Sequence, residues 1–180
     1  MNYKPSDVIS LLRDVEAHIV PSGDKIKLLA GNPVRITQAL GGNYTIMVNG
    51  NLMQISSENI DALGFEIEKE NRSRFPEEFS ENLIWDQLKT CYDPEIPVNI
   101  VELGLIYDLT VKESETGKTI TVKMTLTAPG CGMGPVISDE VDRKIRSISG
   151  VQDVFVELVW EPQWTQSMMS EAAQLELGVF

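Results

Sequence analysis

The sequence predicts an α+β fold: a C-terminal mixed-sheet domain with helices on one face, preceded by a small mainly-β N-terminal domain. Three observations carry that expectation. Short apolar runs recur at tight spacing before residue 66, with glycine-containing breaks between them. A polar stretch, EIEKENRSRFPEE from Glu66 to Glu78, then interrupts the apolar pattern. Beyond it, helical spacing and two-residue alternation succeed one another in the order helix, strand, strand, helix, strand. The expected division is a β-rich accessory domain over residues 1–65, a linker over 66–79, and an α+β domain with a C-terminal tail over 80–180.

In the first part, Val8, Leu11, Leu12 and Val15 share one helical face, which predicts a short helix from Ser6 to Ala17. Strand-like runs follow from Ile26 to Leu29, Val34 to Leu40, Tyr44 to Val48 and Leu52 to Ile55. Gly41-Gly42 separates two of them. Asn49-Gly50 separates another pair, a hairpin signal because both residues tolerate positive φ. Strands this short and close suggest a small barrel or roll. No catalytic pattern is visible here, so an accessory or docking module is expected.

In the second part, Ser80 is placed to cap a helix from Glu81 to Thr90, with Leu83, Ile84 and Leu88 inward. Leu105, Tyr107, Leu109 and Val111 alternate, as do Ile120, Val122, Met124 and Leu126. The ESETGK stretch between them predicts an antiparallel hairpin. Ile137, Val141, Ile145 and Ile148 then recur at helical spacing, with Asp139, Glu140 and Asp142 ahead of Arg143, Lys144 and Arg146, an order that suits the helix dipole. Gly150 stops that helix. Val154, Val156 and Leu158 alternate again, so the last three elements form a β-α-β unit with parallel strands.

Composition bounds the function. The chain has 180 residues, 42% of them hydrophobic, enough for one domain or two small ones with a real core. No apolar run is long enough to cross a bilayer, and MNYKPSDVIS lacks the apolar stretch of a signal peptide, so a cytoplasmic location is expected. The formal net charge is −12 and uneven: 8 basic against 9 acidic residues through Phe75, then 7 against 18 from Pro76 onward. Such a surface repels nucleic acid and anionic membranes, and suits protein partners or metal cations. Two cysteines and one histidine argue against a self-contained zinc site. The absence of an export signal favours free thiols over a Cys91–Cys131 disulfide.

Two stretches stand out. In LTAPGCGM, Cys131 lies just past the end of a strand and just before a helix, where ligands of parallel sheets commonly sit. Gly130 and Gly132 let the chain turn sharply and a partner approach. Amides at the helix start favour a thiolate, the form that attacks electrophiles and binds soft metals, while Asp139, Glu140 and the acidic surroundings oppose it. The same cysteine also reads as a small apolar filler. In CYDPEIPVNIVELGLIYDL, Asp93 and Glu95 flank Pro94, and Pro97 follows, so the chain stays extended and the preceding helix ends. These carboxylates read either as solvated loop residues or as proton acceptors and oxygen ligands beside the Cys131 turn. Cys91 reads as the end of its helix's apolar face.

Together, DPEIPVNIVELGLIYDL and TLTAPGCGM resemble the MIP-eighteen-like iron–sulfur cluster assembly proteins, the domain of unknown function fifty-nine. The resemblance covers roughly Ser80 to Trp164, and the extra N-terminal half and the closing VWEPQWTQSMMSEAAQLELG look like the bacterial SufT branch. A related branch assembles an oxygenase of phenylacetate degradation and often carries further cysteines near its C-terminus; this chain has none after Cys131. The resemblance implies a maturation factor, not a metabolic enzyme, with Cys131 as the functional thiol and Asp93, Glu95, Thr127, Gly130 and Gly132 in support. It implies transient binding of iron or an iron–sulfur cluster at Cys131, with scaffold or carrier proteins and client apoproteins as partners. Two cysteines cannot supply a four-thiolate cluster, so any bound cluster shares ligands with a partner or a second copy, and a homodimer is expected. The competing readings are a thiol enzyme with Cys131 as nucleophile and a non-catalytic interaction adaptor.

Three features fall outside that reading. WEPQW, Trp160 to Trp164, reads as lid or core packing. The apolar tail with Met168, Met169 and Leu175 either docks back or binds a partner as an extended segment. His18 reads as structural or exposed, and GGN at Gly41 lacks phosphate-loop spacing.

Overall fold

The computed structural model describes residues 8–67 and 79–179. Residues 68–78, most of the expected linker, lie outside the described residues. The chain divides into two compact units, Met1–Glu70 with Pro94–Pro97, and Asn71–Asp93 with Val98–Phe180. Among the described residues no helix is long and apolar enough to cross a membrane.

The first unit is one antiparallel sheet of six strands: β1 (Val8–Ser10), β2 (Val15–Ile19), β3 (Lys25–Leu28), β4 (Pro33–Leu40), β5 (Asn43–Val48) and β6 (Asn51–Ile55), in the order β1-β4-β5-β6-β2-β3. Its two tight hairpins follow from their turn residues. Asn49 and Gly50 take φ of 49° and 82°, and Gly41 and Gly42 take 63° and 88°, the positive values that match the strands' twist. Val15, Ala17, Val34, Ile36, Ile46 and Ile55 bury the inward face. Leu11 ties the first corner to the third, its N–H donating to the Asn32 carbonyl (3.0 Å) and its carbonyl accepting from Gly31 N–H (2.7 Å). Thr45 Oγ1 donates to the Pro94 carbonyl at 3.2 Å within the same unit.

The helix expected from Ser6 to Ala17 does not form. Two strands, β1 and β2, occupy the described part of that stretch, joined by a corner at Leu11–Asp14. The apolar spacing misled because Val8 and Leu12 are 59% and 70% exposed, so they never formed one buried face. Pairing with β4, β3 and β6 overrode the local pattern. Arg13 fixes the corner by donating from Nε and Nη2 to both carboxylate oxygens of Asp61, at 2.7 and 2.6 Å. His18 consequently sits in β2, half-buried, in register with Lys25 and Gln54.

The second unit contains α1 (Glu81–Leu88), β7 (Ile106–Ser114), β8 (Gly117–Met124), α2 (Gly134–Arg146), β9 (Val151–Leu158) and α3 (Glu171–Leu177). β7 and β8 form the expected antiparallel hairpin, and β8 and β9 run parallel on either side of α2 in the sequence. Alternation separates the two faces of this sheet. Val111, Ile120 and Val154 share one row, Leu109, Val122 and Val156 the next, and Ile106, Met124 and Leu158 the last. Opposite them, Asp108, Lys123 and Glu157 align on the other face, beside a row of Thr110, Thr121 and Phe155. The apolar rows face Ile137, Val141 and Ile145 of α2, which packs on β9, while α1 packs on α2 through Ile84 and Leu88.

Two details qualify the expected boundaries. Ser80 stands at the start of α1, but its side chain makes no capping bond. The edge strand β9 has two of its carbonyls, Gln152 and Val154, accepting from the Arg146 guanidinium at 3.4 and 3.3 Å. Asp142 holds that guanidinium at 2.9 and 3.1 Å.

Candidate functional site: the Cys131 turn

Thr127, Gly130, Cys131 and Gly132 lie together on the connection from β8 to α2. The turn closes on itself: Cys131 N–H donates to the Ala128 carbonyl (3.3 Å), and Gly134 N–H donates to the Cys131 carbonyl (3.2 Å). Gly130 supplies the reversal, with φ of 79° and open space where a Cβ would stand. Gly132 is not among the residues with positive φ, so only one of the two flanking glycines acts through that conformation. α2 begins close to the strand ends, since a Cβ on Gly134 would meet Leu126 at 2.9 Å and Leu158 at 3.1 Å.

The helix-start amides are fewer than the sequence suggested. The Gly134 N–H is already given to the Cys131 carbonyl, and Pro135 has none. The opposing negative charge is also reduced. Glu140 is buried and ion-paired with Lys144 at 2.8 Å.

Asp93 and Glu95 do not behave as a matched pair. A bridge between Tyr92 and Asn99, with Ile100 N–H donating to the Cys91 carbonyl (2.9 Å), closes the loop that carries them. Asp93 points inward and is buried, whereas Glu95 is exposed and lies in the Pro94–Pro97 segment of the first unit. The loop continues into a tight turn in which Asn99 Oδ1 accepts from the N–H groups of Val101 (3.1 Å) and Glu102 (3.0 Å).

Neither cysteine is in a disulfide, and their surroundings differ. Cys91 is completely buried at the end of α1, and its thiol faces the Gln87 carbonyl at 3.7 Å. Burial, reinforced by the nearby Glu140 carboxylate, pushes that thiol up to about 12. Cys131 is partly exposed. Cys91 is therefore packing, as its place on the helix face suggested, and Cys131 is the reachable thiol. Among the described residues no three His, Cys, Asp or Glu side chains converge to hold a metal ion.

Sequence reasoning undervalued the C-terminal strap. Trp164 Nε1 donates to the Leu103 carbonyl (2.8 Å), Tyr107 Oη to the Pro162 carbonyl (2.8 Å), and Ser170 N–H to the Glu102 carbonyl (2.9 Å). Gly104, at φ 71°, admits the strap: a Cβ there would stand 2.1 Å from the Met168 carbonyl oxygen. The tail thus docks back, with Met169 and Ala173 buried, and ends in α3 between a Ser170 cap and Gly178. The capping serine and terminal glycine were the available signals for that helix. The strap also walls a small pocket against the cysteine turn, lined by Leu126, Thr127 and Pro129 and by Trp160, Gln163 and Trp164.

A family model described as iron–sulfur cluster assembly protein matches residues 81–158, which hold both motifs and run from α1 through β9. The chain is 50% identical over 91 residues to an Fe-S protein maturation auxiliary factor of Porphyromonas gingivalis, covering 51% of this chain and 84% of that protein. It is 46% identical over 87 residues to the Fe-S protein maturation auxiliary factor SufT of Staphylococcus aureus, covering 48% and 96%. A domain of unknown function from Bacillus anthracis, solved by crystallography, superposes with a TM-score of 0.50 at 35% identity, over 56% of this chain and 92% of that one. The strands β1–β6 fall outside the family match.

Proposed function

This chain belongs to the family of iron–sulfur cluster assembly proteins, and from that premise we propose that Cys131 is the thiol with which it works. Its role is in the assembly and maturation of iron–sulfur proteins. The observation that carries the proposal is the contrast in access: of two thiols, Cys91 is sealed and Cys131 stands on a tight turn within the matched region.

Iron or an iron–sulfur cluster is the cargo, not a resident group. One reachable thiolate per chain cannot satisfy a four-ligand cluster, so the remaining ligands come from a carrier, a client or a second copy. In this reading the protein passes cargo from scaffold to client without turning over a metabolite. Thr127 and Gly130 lie on the turn itself, and a supporting role for Asp93 and Glu95 rests on the motif they share with the family. The cytoplasm, where thiols stay reduced, is its place of work.

Complementation tests this. In cells lacking the protein and grown under high demand for clusters, the native gene restores aconitase activity, and Cys131→Ser, equally abundant and folded, does not. Full rescue by the serine variant overturns the role of Cys131.

A further inference from the structure

We propose that two copies of this chain pair through the outer edge of β7, antiparallel, with Thr110 of each copy on the two-fold axis. The sheet of the second unit has two edges, β7 and β9. The β9 edge is guarded, since the Arg146 guanidinium occupies the Gln152 and Val154 carbonyls. Among the described residues no backbone group bonds to the outer side of β7. An edge left bare is a template for a further strand.

The hairpin fixes which groups that edge presents. Ser114 and Gly117 flank a two-residue loop, so they exchange both backbone bonds. Lys118, the next residue, accordingly turns its N–H the other way, to the Gly150 carbonyl at 2.9 Å. By alternation Lys112, Thr110 and Asp108 bond inward to β8, while Leu109 and Val111 aim their N–H and carbonyl groups outward. The side chains of Leu109 and Val111 lie in the apolar rows but are only half-buried, unlike Val122 and Ile120 beside them. A further strand supplies both the missing bonds and the missing cover.

Charge chooses the occupant. The exposed Asp108 and Lys112 stand on either side of Thr110, on the same face. About an axis at Thr110, Asp108 of each copy faces Lys112 of the other, and Leu109 exchanges both bonds with Val111. An axis at Leu109 or Val111 instead sets each of these charges against an uncharged residue. The row across the joined sheet then alternates in sign: Glu157, Lys123 and Asp108, followed by Lys112, Thr119 and Asp153 of the second copy. The Cys131 turn lies at the Ile106 end of β7, so pairing sets the two turns at opposite ends, about 25 Å or more apart along the strands. A copy paired this way does not complete a cluster site at Cys131, and the pairing does not depend on the role of that thiol.

Sedimentation of the full chain tests this. The contact is short, so a dimer is expected with a dissociation constant of about 0.1 mM. Asp108→Lys or Lys112→Asp alone sets like charges opposite one another at both places and weakens pairing about tenfold. An equimolar mixture of the two variants restores it, because each copy then meets the opposite sign. Circular dichroism checks that both variants fold. Should either fail, cross-linking decides: in a Cys131→Ser background Thr110→Cys forms a disulfide-linked dimer under mild oxidation, and Thr121→Cys, one strand further in, does not. A native chain that stays monomeric at about 1 mM overturns the proposal. So does a dimer untouched by both single variants, a mixture no stronger than either variant alone, or equal cross-linking at Thr121.

Discussion

The end of α1 and the turn before α2 each hold one cysteine, and the two could hardly be treated more differently. Cys91 has no exposed surface, faces a backbone carbonyl, and sits near Glu140, whose charge opposes its ionisation. Cys131 lies on a glycine turn with its side chain partly in solvent. Chemistry is identical; access and electrostatics are not. A thiol's reactivity depends on where the chain puts it, and here two regions about forty residues apart differ in access.

The largest effect that tests this contrast is reactivity. At pH 8 a thiol pushed up to about 12 is ionised in about one molecule in ten thousand, and burial slows it further. Iodoacetamide is expected to label Cys131 at least about a thousandfold faster than Cys91 in the native protein. Peptide mass mapping of a time course reads the ratio, and comparable rates would erase the distinction.

Next in size is the cross-link beside Cys91, at Thr90. Lys144 Nζ donates to the Thr90 carbonyl (2.7 Å) and Oγ1 (3.0 Å) and pairs with Glu140. Lys144→Met leaves Glu140 as a buried charge without this partner, and is expected to cost about 3–5 kcal/mol in urea unfolding. A loss below about 1 kcal/mol would mean that the pair matters little to the Cys91 environment.

A smaller, pH-dependent effect follows from the raised Cys91 thiol. The unfolded chain loses this proton near 9, while the folded chain keeps it to about 12. Between those values the folded state binds more protons, so its stability falls as pH rises, by up to about 1.4 kcal/mol per pH unit. Below about 9 the contribution is complete and flat. Subtracting the profile of Cys91→Ala isolates it; superimposable profiles would show that the thiol titrates alike in both states.

The smallest effect concerns helix starts. Ser80 opens α1 without a capping bond, whereas Ser170 accepts from Ala173 N–H at 3.1 Å at the start of α3. Ser80→Ala is expected to change stability by less than about 0.5 kcal/mol and Ser170→Ala by about 1 kcal/mol. Thermal melts of the two variants rank them.

Much of this was legible in the sequence wherever the determining contacts were local. Asn49-Gly50, Gly41-Gly42 and the alternation of β8 fix their own conformation, and Gly130 on the cysteine turn is a local necessity. What stayed hidden depends on distant residues. The β1–β2 corner needs Asp61, from 48 residues away, to hold Arg13. Asp93 and Glu95 look equivalent in a tripeptide, and only the closed loop turns one inward and leaves the other outside. The charges that reach Cys91, on Glu140 and Lys144, come from a helix that starts 43 residues later. The strap is legible only once Gly104 is seen to leave room for the Met168 carbonyl.

The guanidinium of Arg146 has a further consequence. An exposed strand such as β9, rich in valine and carrying an outward phenylalanine, is a template onto which a misfolded neighbour can add. Two of its carbonyls are already taken, and Asp142 holds the blocking group in place. The chain can then reach high concentration without its own β9 edge seeding aggregates.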